Sequence, residues 1–522
     1  MKKNIVLTLL MISMTLSVIG WFVVAYGQDN KNTTSMNIFF NPEMRKFVQV
    51  LQLLKESYYR EVSDSQLLDE AINGMLKTLD PHSVYIYKES DLQNFYTQTT
   101  GTFGGIGFRV GVKDGFITVI SPIENTPASR AGIKAGDIIV MIDTISTDGM
   151  DVDKAVSLMR GKPGTKVKLK INRFGTLIDF DITREIITIK SIPYYGMIDD
   201  SVGYIKLTQF TERVEDEFYQ CVKDLFEKRG AKKLIVDLRQ NPGGLLNSAI
   251  SISDIFLPKG AQIVSTRSKN PSMDYVFRAT QPIYKGFFPL VILVDDGSAS
   301  ASEIVAGALQ DWDRALILGD TTYGKGSVQS VIDFSKNDKK DKGILKFTTA
   351  RYFTPSGRSI DRELIKYENS QIDTNKYYTL GELNREVSGG GGIIPDFVYQ
   401  ERFLSKVEID ILTKQALMEF VSKYLSKNKV GENFVLNFDK KVFDEYLSFL
   451  VEKNVNVDDI KKDTTVLKNV EDQLLYEFAR EIGGENLFYR VYLKKDFLVN
   501  KSLDFLKGSK DIKDMFFKLN KN

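Results

Sequence analysis

Two segments of this 522-residue chain hold side chains whose types could do chemistry together. In DDGSASASEIVAGALQD (295–311), three serines fill a small-residue turn between an apolar run and a helical pattern. By type alone Ser298, Ser300 and Ser302 are all candidate nucleophiles. The turn stands at the carboxyl end of an expected strand, where open α/β sheets place their sites. Ser300 also lies where the helix begins, and the unpaired N–H groups and dipole of a helix start can stabilise an oxyanion. A nucleophilic serine needs a base. The chain has one histidine, His82, and it falls in the stop signal of a distant helix, DPHS (80–83), where a structural role suits it. The better partner is Lys325 in GDTTYGKGSVQ (319–329), one helix and one strand after Ser300. An amine accepts a proton only when neutral. Bringing a lysine from about 10.4 to about 7.5 takes about 4 kcal/mol, and desolvation is the usual means. The neighbours Tyr323, Gly324 and Gly326 carry no charge, as that role requires. The same segment spells G-x-x-x-x-G-K, the opening of a phosphate-binding loop. Gly326, however, stands where Ser or Thr should hold magnesium, and SVQSVIDF alternates like a strand instead of opening a helix.

The elements around these residues read as repeated strand–helix units from about 190 to 400. VGYIKLTQF (202–210), KLIVDLR (233–239), PLVILVD (289–295) and ALILGD (315–320) read as strands. Helices are expected after the first, from Leu245 after the turn NPGG (241–244), and over EIVAGALQDW (303–312). Such alternation implies a mostly parallel sheet with helices on its faces. A right-handed crossover makes the strands before Ser300 and Lys325 neighbours, so their loops meet at one edge. Val214, Phe218, Cys221, Val222, Leu225 and Phe226 share one helical face, which makes Cys221 a core residue rather than a nucleophile.

Composition narrows the field. Hydrophobic residues at 43% and charged residues at 26% fit a globular protein, and the length allows several domains. Lys+Arg 70 against Asp+Glu 68 gives a formal +2, which argues against a nucleic-acid binder. A single cysteine excludes an intramolecular disulfide framework, and a single histidine excludes multi-histidine metal sites. No metal or cofactor is called for. Lys2 and Lys3 precede the uncharged stretch 5–27, which reads as a secretory signal cut near Gly27 or, being long, as a retained membrane anchor. Either places the body of the protein outside the cytoplasm, periplasmic or membrane-anchored. Helical patterns follow at 47–59, with Phe47, Val50, Leu51 and Leu54 on one face, and at 66–79.

From 101 to 185 the chain changes to short strands separated by glycines. GTFGGIGFRVGV, FITVISPI, the small-residue turn ENTPASRAGIKAGD, DIIVMID, a helix around DVDKAVSLMRG, and TKVKLKINR follow in an order that resembles a PDZ domain. In such a domain the backbone N–H groups of Gly105, Ile106, Gly107 and Phe108 can hold a peptide's terminal carboxylate. The adjoining strand edge accepts the rest of the peptide by β-augmentation.

SASASEIVAGALQD, YGKGSVQ, DLRQNPGG, TTARYFTPSGRSI (348–360) and GGIIPDF (391–397), together with LDPHSVY (79–85) and the PDZ-like insert, resemble the signature segments of the C-terminal processing, or tail-specific, peptidases over about residues 40–400. The resemblance implies a serine–lysine peptidase. The family's nucleophile falls on Ser300, its general base on Lys325, and the glutamine that orients the lysine on Gln329. Its oxyanion donors fall on the backbone N–H of Ala301 and of Gly243 or Gly244, and its peptide-carboxylate site on Gly105 to Phe108. Arg160, in MRGKPGT, matches a position at the end of the PDZ domain that can couple peptide docking to activation. Two segments depart from the pattern: the lysine-rich loop SKNDKKDKG (335–343) and the extension 401–522, which is rich in Lys, Phe, Tyr and Leu at helical spacing and carries no motif.

The expected architecture is multidomain α/β. It comprises a leader (1–27), an N-terminal helical segment (38–100), a β-sandwich-like PDZ domain (101–185), a sheet-and-helix peptidase core (190–400) and a helical extension (401–522) that packs on the core or mediates assembly, as a homo-oligomer or with an adaptor. The expected function is an exported endopeptidase that captures the free carboxyl terminus of a protein substrate and cleaves through an acyl-enzyme. A non-hydrolytic PDZ-based adaptor is the alternative, and the joint presence of Ser300, Lys325 and Gln329 weighs against it. An acyl-CoA enzyme on a related framework is disfavoured by the PDZ insert.

Overall fold

The computed structural model describes residues 41–113, 115–336, 343–362 and 375–521. The leader and most of the lysine-rich loop lie outside them. Among the described residues no helix is long and apolar enough to cross a membrane.

Two compact units divide the chain, Met1–Leu79 and Asp80–Asn522. In the first, helix α1 (Pro42–Ser57) starts where Asn41 Oδ1 accepts the Glu43 N–H at 2.9 Å, and Pro42 supplies a pre-set φ. The apolar face read from the sequence is present, yet no residue of α1 is buried. Helix α2 (Asp64–Leu76) ends earlier than its apolar pattern, in turns closed by Thr78 N–H to Met75 O and Leu79 N–H to Leu76 O.

The second unit opens with β1 (Val84–Ile86) and α3 (Glu89–Thr100). Next come β2 (Thr102–Gly105), β3 (Phe108–Lys113), β4 (Phe116–Pro122), α4 (Pro127–Ala131), β5 (Ile138–Ile142), β6 (Ile145–Ser146), α5 (Val152–Met159), β7 (Lys166–Arg173), β8 (Thr176–Thr183) and β9 (Glu185–Thr188). Strands β3-β4-β5-β7-β8 form an antiparallel sheet in that order, with β6 beside β5, and β2 pairs separately with β9. Alternate residues such as Ile117, Val119, Ile139, Ile142, Val167, Leu169 and Ile171 fill its core.

The main sheet runs β10 (Tyr194–Asp199), β11 (Val202–Lys206), β12 (Lys233–Asp237), β15 (Leu290–Val294), β16 (Leu316–Gly319) and β21 (Phe397–Val398). Only β10 and β11 are antiparallel; the others are parallel. Every residue of β15 is buried, as a strand covered on both faces requires. One face carries α6 (Val214–Lys223), α7 (Leu246–Asp254) and α8 (Ala301–Asp311). Cys221 belongs to that core, and burial pushes its thiol up to about 12. A second sheet combines β13 (Gln262–Ser268), β14 (Tyr275–Arg278), β17 (Ser327–Asp333) and β18 (Ile344–Phe353) with β1, and β19 (Tyr377–Tyr378) pairs with β20 (Glu386–Val387).

The extension is helical and does two things. Helices α9 (Lys406–Thr413), α10 (Ala416–Lys427), α11 (Glu432–Leu436), α12 (Lys440–Glu452), α13 (Val457–Lys462) and α14 (Thr464–Lys495) enclose a core of their own. Helix α14 bends at Gly483 and Gly484, the latter at φ 63. Helices α15 (Phe497–Leu506) and α16 (Ile512–Leu519) then cover the other face of the main sheet. There Leu498, Val499, Phe505, Leu506, Met515 and Phe516 meet Val202, Tyr204, Ile235, Val291, Leu293, Leu316 and Leu318. Asp496, which caps α15 through the Val499 N–H, also pairs at 2.9 Å with Arg239, itself held by Asp237.

Candidate active site

Strands β15 and β16 are adjacent, with Val291 opposite Leu316 and Val294 opposite Gly319, so the loops that follow them share one edge. The turn after β15 is pinned by its outer serines. Ser298 Oγ donates to Leu238 O at 2.9 Å and Ser302 Oγ to Asn241 O at 2.8 Å, and both side chains are fully buried. Each therefore serves as a tie to the loop after β12. Ser300 alone of the three is half-buried, and it holds φ 54, ψ −110, a conformation that a side-chain-bearing residue keeps only when its surroundings impose it.

Glu303 imposes much of it. This fully buried carboxylate sits at the third position of α8. Its Oε2 accepts the N–H of Ser300 at 2.8 Å and of Lys325 at 2.9 Å. Its Oε1 accepts the Gly324 N–H at 2.7 Å and Thr322 Oγ1 at 2.6 Å. One carboxylate thus binds the backbones of both candidate residues. Burial pushes it up to about 7, against the pull of those bonds.

Tyr352, on β18, closes the arrangement: its buried hydroxyl donates to Lys325 O and lies near the Ser300 side chain. Burial, with the nearby Glu303 and Asp361 carboxylates, raises this phenol well above its ordinary value. Lys346, also on β18, is lowered by burial and by the charge of Lys325, against a smaller pull from Asp80. For Asp80 burial alone would act upward, but bonds from Ser83 Oγ and the His82 and Ser83 N–H groups hold it below its ordinary value. The backbone of His82 belongs to this turn, which β1 sets against β18 through Val84 and Lys346.

The sequence reading passed over Glu303, Tyr352 and Lys346. Ser300-x-x-Glu303 is a capping-box pattern, so Glu303 was legible. Tyr352 and Lys346 reach the site only because β18 returns beside β17, which no local pattern announces.

The NPGG turn abuts Ser300. A Cβ on Gly243, at φ 98, would meet Ala299 O at 2.6 Å, Ala301 N at 2.9 Å and Ser300 Cβ at 2.9 Å. Gly243 N–H donates to Asn241 Oδ1 at 2.9 Å; among the described residues no acceptor takes the N–H of Ala301 or Gly244. Gly243→Ala is expected to lower kcat by about 10²-fold or more by displacing this turn, and to lower the melting temperature as well, because the added Cβ meets backbone atoms at a strained φ. Wild-type turnover in that variant would remove the turn from the site.

Gln329 lies on β17, opposite Thr348 and next to a register shift, and its buried Nε2 has no partner among the described residues. The stretch after Lys325 is the strand expected, with no helix of a phosphate loop. Arg160 caps α5; its Nη1 donates to Asn94 Oδ1 at 3.0 Å and its guanidinium lies 4.9 Å over the Phe103 ring. Those partners belong to α3 and β2, not to the loops of Ser300 and Lys325. Gly105 ends β2, Ile106 is buried with its carbonyl taken by the Ala128 N–H, and Gly107, at φ 86, leads into β3 at Phe108.

Comparison with known proteins yields three family matches: Peptidase family S41 over residues 201–369, PDZ domain over 118–173, and activating protease CtpB N-terminal domain over 23–90. The chain is 43% identical over 323 residues to a carboxy-terminal-processing protease of Bartonella bacilliformis, covering 61% of this chain and 72% of that one. It is 36% identical over 406 residues to the carboxy-terminal processing protease CtpA of Bacillus subtilis, covering 76% and 84%. A probable CtpA-like serine protease of Staphylococcus aureus is 33% identical over 454 residues, covering 84% and 87%.

Proposed function

The chain belongs to the carboxy-terminal processing proteases, serine peptidases with a PDZ domain, and on that footing we propose that Ser300 is its nucleophile and Lys325 its general base. Ser300 Oγ attacks the scissile carbonyl carbon while its proton passes to Lys325 Nζ. The tetrahedral oxyanion is met by the N–H groups of Ala301 and the NPGG turn. Gly244 is the favoured donor of that turn, because the Gly243 N–H is engaged by Asn241. The C–N bond then breaks, Lys325 returns the proton to the leaving amine, and water, deprotonated by Lys325, hydrolyses the acyl-enzyme.

The observation that carries this reading is Glu303, whose single carboxylate accepts the Ser300 and Lys325 N–H groups at 2.8 and 2.9 Å. Lys346 lies within reach of the Lys325 charge, and burial together with that charge holds Lys346 below its ordinary value. Gln329 orients Lys325, and Arg160, bonded to Asn94 of α3, couples peptide docking to the catalytic part. Substrates are proteins with free carboxyl termini, docked on Gly105–Phe108 and the edge of β3. The stretch 5–27 carries the protein out of the cytoplasm, as a cleaved signal or a membrane tether.

A slowly deacylating peptide ester tests the covalent step. The intact mass is expected to rise by one acyl group, and peptide mapping to place that group on Ser300. Turnover without such an adduct, or an adduct on another residue, would overturn the assignment; absence of turnover on any unfolded substrate would leave a PDZ-based adaptor.

A further inference from the structure

Among the described residues strand β3 ends its sheet, paired with β4 alone. Its hairpin closes at Lys113 opposite Phe116, and the Ile123 N–H binds Gly107 O at 3.0 Å. In an antiparallel pair hydrogen-bonding residues alternate. Arg109, Gly111 and Lys113 therefore face β4, whereas Phe108, Val110 and Val112 turn their N–H and C=O groups to the open edge. An added antiparallel strand whose last residue meets Phe108 would bond Val110 with its third residue from the end and Val112 with its fifth.

The edge is not open along its whole length. Gln415, the residue before α10, donates through Nε2 to Val112 O at 3.3 Å, while its Oε1 is buried without a partner among the described residues. It holds the left-handed conformation, φ 49, ψ 33, an unfavourable choice for glutamine. One turn along the same helix Glu419 pairs with Lys113 and, at 2.5 Å, with Lys453, and Ser422 Oγ donates to Ala135 O at 3.1 Å. At the bend of α14, Gly484 lies so close to Glu124 that a Cβ would meet its Oε1 at 1.6 Å. These contacts fix the bundle on the PDZ domain with one side-chain amide at the strand edge.

We propose that Gln415 is a stop on the peptide-binding edge, so that the PDZ domain reads four carboxyl-terminal residues of a substrate and turns the fifth away from the sheet. The Gln415 amide bonds the carbonyl that the N–H of the fifth residue would use. The inference rests on β3 being the peptide-binding edge, as proposed above, and adds a length limit set by the extension.

Calorimetric binding of acetylated peptides of three to seven residues, each ending in a free apolar residue, to the full chain carrying Ser300→Ala tests it. Affinity is expected to rise to four residues and stay flat beyond. N-methylation of the third residue from the end should weaken binding about tenfold or more, and of the fifth residue not at all. Adding Gln415→Gly, which suits the positive φ and removes the amide, should let the fifth residue contribute about two- to tenfold, the net worth of one or two backbone hydrogen bonds. N-methylation of that residue should then abolish the gain. A gain from the fifth residue in the protein with Gln415 intact, or none in a folded Gln415→Gly variant, overturns the stop. The N-methyl series with Gln415 intact decides the matter even if the variant does not fold. Binding indifferent to amidation of the terminus and to N-methylation of the third residue would instead sink the peptide-edge reading itself.

Discussion

Ser300→Ala is expected to lower turnover of a peptide with a free apolar carboxyl terminus by about 10⁴-fold or more, leaving its affinity unchanged. The flanking serines cannot substitute, because Ser298 and Ser302 are fully buried and committed to carbonyls of the neighbouring loop. Lys325→Met is expected to match it, since a nucleophile and its base fail as a unit. Measured by single-turnover cleavage, substantial activity in either variant would sink the serine–lysine assignment. With chemistry rate-limiting, the acylation rate of the unaltered protein should rise with pH between about 6 and about 9, because the base must be deprotonated.

Glu303→Gln is expected to cost about 10²- to 10³-fold in kcat, although no step of the proposed chemistry passes through the side chain. A carboxylate can accept all four of its bonds; an amide presents an NH₂ group to N–H donors that have nowhere else to turn. Both loops would shift. The substitution should also change the pH dependence of stability. The folded carboxyl, pushed up to about 7, binds its proton more tightly than the unfolded one at the ordinary 4.5. Its contribution is therefore fully present below about pH 4.5 and lost as the pH rises through about 7, a cost of about 3 kcal/mol for keeping the charge inside. Urea unfolding at pH 5 and pH 8 should show this loss in the unaltered protein and not in the variant. Equal slopes would mean that Glu303 is ionised throughout.

The elements that carry the site were legible because each has a local signature. Leu290–Val294 is a short, wholly apolar run, which a buried parallel strand must be. Its adjacency to Leu316–Gly319 follows from the handedness of one crossover. The spacing of Val214, Phe218, Cys221 and Val222 likewise placed them in the core. What escaped was long-range. Tyr352 and Lys346 enter the site from a strand of the second sheet, and nothing in their own neighbourhood announces the loops they will face. Helical spacing in the extension 401–522 pointed to helices, but a helical pattern does not name what it packs on, and only the structure sets Leu498, Phe505 and Phe516 against the main sheet. In α1 the same kind of spacing marks a face on which no residue is buried.

Helices α15 and α16 bear on how the molecule comes into being. The central strands are complete once the ribosome has passed Val398, yet Val291, Leu293, Leu316 and Leu318 keep one side wet until residues through Phe516 have emerged. Synthesis interrupted before that point leaves a sticky, half-clad intermediate for quality control to remove, not a smaller peptidase.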